Sequence, residues 1–182
     1  MNGPFALRHP LDGAVSASGA RGADHVTILA EPTVVSVVAL PNRVDAVGTM
    51  LSDTWPEQLR IIGPGDWLLV GAHLDQALPK ALKSRLFGDA LVSDQSSGRT
   101  VLRLSGPNAR AILAKLTPLD LDSDVFEQGR SATAFFAHVS ATIARIDGEV
   151  FEICLMRSFA LFAFEELMEM GLEFGLTAGF AT

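Results

Sequence analysis

The residues with the types and spacing for chemistry fall into small, separate groups. Gly63-Pro64-Gly65 opens like a dinucleotide fingerprint, in which glycines let the backbone approach a pyrophosphate seated on a helix N-terminus. The third glycine of that pattern would fall at Leu68, and an apolar run follows instead of a helix, so a hairpin turn is expected. Asp120, Asp122 and Asp124 alternate like the start of a calcium loop. Such a loop needs glycine at its sixth position and a bidentate glutamate at its twelfth. Here those positions hold Val125 and Ser131, which points to a solvated acidic loop. His9, His25, His73 and His138 share no ligand spacing, which argues against zinc, and His138, at the end of an apolar strand, reads as structural. No serine lies in a Gly-x-Ser-x-Gly elbow, and Ser96-Ser97-Gly98 precedes a strand. Cys154 sits in the apolar run Ile153-Cys154-Leu155, where a buried, inert thiol is expected. No catalytic, cofactor-binding or metal-binding residue is therefore expected on this chain.

A different signal lies near the C-terminus. On a helical wheel Glu165, Glu166, Glu169 and Glu173 share one face with Phe162, and Phe159 lies at its edge. An aromatic among carboxylates either packs under their stems or marks a partner-binding surface, so Phe159 and Phe162 are the candidate interface residues.

The elements that would position these groups form an α+β pattern. Residues 1–25 are rich in Gly, Ala and Ser and read as an N-terminal arm. Thr33 to Leu40 is β-branched and reads as a buried strand, and Val44, Val47 and Leu51 then fall at helical spacing, although Gly48 weakens that helix by about 1 kcal/mol. Two short strands, Leu59 to Ile62 and Trp67 to Val70, flank the Gly63–Asp66 turn. A helix over Leu74 to Phe87, N-capped by Asp75, and a strand at Ala90 to Val92 complete a β-α-β-β-α-β, ferredoxin-like half over 26–95. The second half, 96–182, reads as a βα-βββ-α unit sharing the core. It begins with the strand Thr100 to Leu104 and a helix opened by Ser105-Gly106-Pro107, with Ala109, Ile112, Leu113 and Leu116 as its apolar stripe. Strands over Ala132 to Ala137, Ala141 to Ile146 and Val150 to Met156 follow, the last two joined by Asp147-Gly148, a type I′ hairpin signal. Ser158 is expected to cap a final helix reaching Phe174.

Composition sets the outer bounds. The chain has 182 residues, 48% of them apolar, and a net charge of −7. Its mean hydropathy is +0.30, high for a chain with no segment able to span a bilayer, so either a dry core or a partner-covered face is expected. An acidic chain with scattered basic residues is a poor match for nucleic acid or an anionic membrane. One cysteine excludes an internal disulfide. The N-terminus shows no cationic, apolar leader, and a cytoplasmic location is expected.

The block from Asp94-Gln95-Ser96-Ser97-Gly98-Arg99 through Leu104-Ser105-Gly106-Pro107 to Pro118-Leu119-Asp120-Leu121 resembles the central signature of the gamma subunit of heterotetrameric sarcosine oxidase. Gly63-Pro64-Gly65-Asp66-Trp67-Leu68-Leu69, Met156-Arg157-Ser158-Phe159-Ala160 and His9-Pro10-Leu11 are similar to three further segments of that family. The resemblance implies a fold like the folate-binding domain of aminomethyltransferases. It also implies a non-catalytic role in a complex that oxidatively demethylates sarcosine to glycine, with hydrogen peroxide and formaldehyde or methylenetetrahydrofolate as the other products. FAD, FMN, NAD, folate and zinc would then reside on the alpha, beta and delta partner subunits, with none on this chain. The alternatives are a free-standing folate or one-carbon binder of the same superfamily and a small-ligand regulatory module.

Overall fold

Alternation along the strands sorts the buried apolar residues into three clusters, and these hold four layers together. The computed structural model describes residues 8–15, 21–72 and 74–181. In chain order the elements are β1 (His25–Ile28), β2 (Thr33–Ala39), α1 (Val44–Thr54), β3 (Leu59–Gly63), β4 (Asp66–Gly71), α2 (Leu78–Arg85) and β5 (Ala90–Asp94). They continue as β6 (Arg99–Ser105), α3 (Ala109–Ala114), β7 (Ser131–Phe136), β8 (Val139–Asp147), β9 (Val150–Met156), α4 (Ala160–Met170) and β10 (Thr177–Phe180).

The smaller sheet has the order β3-β4-β2-β5 with antiparallel neighbours, the arrangement expected of a β-α-β-β-α-β unit. Val35, Val37, Trp67 and Leu69 on one face pack against Val47, Leu51 and Leu82 of α1 and α2. Each fully buried side chain of this kind contributes ~1.5–3 kcal/mol. Gly48, a weak residue for a helix, has a reason here: a Cβ would lie 3.0 Å from Cζ2 of Trp67, so its absence lets the indole lie against α1.

The larger sheet runs β10-β1-β6-β9-β8-β7. Its outer face buries Leu102, Leu104, Phe151, Ile153 and Leu155 against α3 and α4, and the stripe Ala109, Ile112, Leu113 and Leu116 points there as expected. Its inner face meets the smaller sheet along a seam of Leu29, Val34, Leu68, Val70, Val101 and Cys154. The molecule is thus an α-β-β-α stack.

Several boundaries differ from expectation. His25–Ile28 belongs to the larger sheet, paired antiparallel with β6 and parallel with β10, and not to a unit beginning at 26. Within the expected arm, Leu11 is fully buried in the outer core of that sheet, while residues 1–7 and 16–20 lie outside the described residues. The arm's apolar residue is held because it fills a large hydrophobic cluster. α2 starts at Leu78, not Leu74, because Asp75 accepts from the Ala77 N–H (2.8 Å) in a turn ahead of it. Ser105 does not cap α3; its hydroxyl donates to the His25 carbonyl, and the buried Asp24 carboxylate accepts from the Asn108 N–H (2.8 Å) instead. Gly106 has φ +128°, and a Cβ there would lie 2.4 Å from the Ala23 carbonyl oxygen.

The β8–β9 turn is not type I′, since neither Asp147 nor Gly148 has positive φ, and the ladder carries a bulge between Arg145 and Asp147. The last helix is shorter at both ends than expected. Arg157–Phe159 is a 3-10 turn with no side-chain cap from Ser158, and α4 stops at Met170, with Gly171 as its C-cap. A Cβ at Gly171 would strike Leu176 at 2.4 Å, so glycine there lets the chain fold back against α4. Gly175, at φ +65°, then turns the chain into β10, a strand the sequence did not announce.

Candidate functional site

Three charged residues at inward strand positions come together: Arg60 in β3, Arg103 in β6 and Glu152 in β9. The register of the larger sheet puts Arg103 directly opposite Glu152, and the packing of the two sheets brings Arg60 to them. Glu152 Oε1 accepts from Arg60 Nε at 2.9 Å, and Oε2 accepts from Arg103 Nε at 3.0 Å. The Glu152 side chain is 1% exposed, Arg60 4% and Arg103 29%. Arg60 Nη1 also donates to the carbonyls of Glu57 (2.6 Å) and Leu59 (3.1 Å), so its donors are well used. Charges taken out of water this far are tolerated only when paired and hydrogen-bonded.

This network stands beside a cleft of about 820 Å³ at one end of the seam, also bordered by Glu57, Gln58, Gly71 and Asp147. With two guanidiniums spent on one carboxylate, its chemistry is hydrogen-bonding and electrostatic; no nucleophile with an adjacent base lines it. Sequence reasoning missed all three residues. The available signal was a charge in an inward phase of an apolar strand run, as in Leu59-Arg60-Ile61 and Phe151-Glu152-Ile153.

The residues singled out by sequence lie elsewhere. Gly63-Pro64-Gly65 forms the β3–β4 hairpin turn, with Gly65 at φ +74°. Asp120 and Asp122 accept from the backbone N–H groups of Asp122 and Asp124 at 3.0 Å, which makes them exposed turn-formers. Among the described residues no group of three His, Cys, Asp or Glu side chains gathers as a metal site would require. His9 and His25 lie near β10: the His9 ring meets Phe180 edge to face and His25 Nδ1 bonds Thr177 Oγ1 at 2.7 Å. Burial pushes the pKa of both below the ordinary histidine value, with help from Arg157 at His9 and from Arg21 at His25. His73 lies outside the described residues. Cys154 is buried in the seam, where desolvation pushes its thiol up to about 12.

His138 is not buried. It sits exposed in the β7–β8 turn, where its ring stacks on Phe162 at 6.4 Å. Of the acidic face, Glu173 pairs with Lys115, while Glu165 and Glu169 are exposed. Phe159 is 45% exposed, with Met156 at 44% and Leu161 at 46% nearby in sequence, so the start of α4 presents apolar surface.

This stack matches the GCVT N-terminal domain family over residues 65–182. The chain belongs to that family. A curated relative, the sarcosine oxidase subunit gamma of Corynebacterium sp. (strain U-96), is 30% identical over 130 residues, which are 71% of this chain and 63% of the relative. A chain in the structure of heterotetrameric sarcosine oxidase from Corynebacterium sp. U-96 superposes with a TM-score of 0.78 at 24% identity, covering 92% of this chain and 96% of that one. The glycine cleavage system aminomethyltransferase T from Bartonella henselae gives a TM-score of 0.62 at 21% identity over 87% of this chain and 48% of its own. The expected likeness to aminomethyltransferases and to the sarcosine oxidase gamma subunit is found in both sequence and fold.

Proposed function

We propose that this chain is the gamma subunit of a heterotetrameric sarcosine oxidase, a non-catalytic, cytoplasmic component that assembles with alpha, beta and delta subunits. The observation that carries the reading is the agreement of the two comparisons: 30% identity to a gamma subunit and a superposition that covers 96% of a chain from the assembled enzyme. In that assembly the reaction is the oxidative demethylation of sarcosine to glycine, with hydrogen peroxide and formaldehyde or methylenetetrahydrofolate. FAD, FMN, NAD, folate and zinc are assigned to the partner chains. The acidic, apolar-tipped start of α4, with Phe159 and Phe162, is the proposed contact face. Among the described residues no helix is long and apolar enough to cross a membrane.

The test is co-expression with candidate alpha, beta and delta chains, followed by size exclusion. A yellow complex containing this chain is expected. A colourless chain that always elutes alone, or amine oxidation by the purified single chain, would overturn the assignment. Phe162→Glu should weaken capture of the partners while the isolated chain keeps its unfolding midpoint, since Phe162 is only half-buried. An unchanged complex would remove α4 from the interface.

A further inference from the structure

At the opposite end of the seam from Glu152 lies a second pocket, of about 480 Å³, built from segments far apart in sequence. Arg99 begins β6, directly opposite Met156 in β9, and Arg157 follows in the next turn. Arg8 closes the pocket from the N-terminal segment, where its carbonyl accepts from Arg157 Nη2. Three arginines thus border one cavity.

What sets this pocket apart is that three arginines without an ion pair gather in one place, while Arg21, Arg85 and Arg130, also without one among the described residues, do not border it. Among the described residues neither Arg8, Arg99 nor Arg157 lies within 4.0 Å of a carboxylate, whereas Arg43, Arg60, Arg103, Arg110 and Arg145 all do. Arg99 Nε is shielded from solvent and has no hydrogen-bond partner, a state that costs about 1–3 kcal/mol unless something accepts from it. Two carboxylates reach the wall, Glu31 and Asp94. Asp94 Oδ1 is already taken by the Ser96 N–H (2.9 Å) and hydroxyl (2.6 Å), and Glu31 is exposed. Asp66 is half-buried with Oδ1 shielded and unpartnered; the Arg99 charge acts on it, but the two do not come within 4.0 Å as an ion pair.

We infer that this pocket binds a small oxyanion, a carboxylate or a phosphate, held by Arg99 and Arg157 with Arg8 at its mouth. The arginine fork matches the geometry of either group, and an anion would give the shielded Arg99 Nε the acceptor it lacks. Gln76, on the same wall, offers a neutral donor for the remainder of the ligand. This site is separate from the Glu152 cleft and does not depend on which chains the protein assembles with.

The test uses the whole chain, with inorganic phosphate and succinate titrated calorimetrically at an ionic strength held constant with sodium chloride. Saturable binding of at least one of them is expected, together with a rise in the unfolding midpoint. Tighter phosphate identifies a phosphate site and tighter succinate a carboxylate site. Arg99→Gln and Arg157→Gln should each weaken binding tenfold or more, while Arg130→Gln, on an exposed loop, leaves it unchanged. Should either variant misfold, wild-type protein supplies the second measurement: the bound anion should slow modification of Arg157 by phenylglyoxal at least several-fold. No binding of either anion, equal binding by the variants, or unprotected Arg157 would each overturn the proposal.

Discussion

The two ends of the seam are built on one strand and solve opposite problems. Arg99, Val101 and Arg103 alternate on the inner face of β6, so the same phase delivers a guanidinium to each end with an apolar residue between them. At the Arg103 end a buried glutamate and a second arginine complete a closed network. At the Arg99 end Glu31 and Asp94 border the cavity, but among the described residues no carboxylate lies within 4.0 Å of Arg99 or Arg157. A buried charge that is matched inside the chain serves the fold, whereas one left unmatched leaves interaction energy available to something outside it.

That contrast can be broken experimentally. The largest effect should come from Glu152→Ala, which strands Arg60 in the seam and should cost about 3–5 kcal/mol in denaturant unfolding. A loss below about 1 kcal/mol would mean water reaches Arg60 and the network is open. Next is Cys154, midway along the seam. A thiol pushed from 9.0 to about 12 forms roughly a thousandfold less thiolate near neutral pH, so native alkylation should be slower by at least that factor than in denaturant. Fast native labelling would show that the seam opens readily. The smallest effect belongs to the unmatched end: without added anion, Arg157→Gln should shift stability by no more than about 0.5 kcal/mol. A loss approaching that of Glu152→Ala would show that this arginine is structural and erase the difference between the ends.

The sequence revealed those parts of the fold that rest on local pattern. β2, α1, the β3–β4 hairpin and the stripe of α3 follow from β-branched runs, turn chemistry and helical spacing. What escaped depends on distant partners. β1 and β10 are four residues each, too short for a period to show, and exist because His25 to Ile28 lies beside Thr177 to Phe180. Asp24 replaces Ser105 as the group that meets the start of α3, a choice made by tertiary approach. The candidate site was hidden for the same reason: Arg60, Arg103 and Glu152 come from three strands and only folding brings them together. The reading of Phe162 was closer, since it was seen among acids, but its stacking on His138 was not.

Gly48, whose missing side chain admits the Trp67 indole, has one more consequence. The chain has two tryptophans and no tyrosine, and both indoles, Trp55 and Trp67, lie in the layer of the smaller sheet and its helices. The protein therefore carries its ultraviolet reporters on one side of the seam. Tryptophan emission follows that half alone, while far-ultraviolet dichroism follows both. Comparing the two signals resolves whether the halves melt as one cooperative unit, without any label being attached.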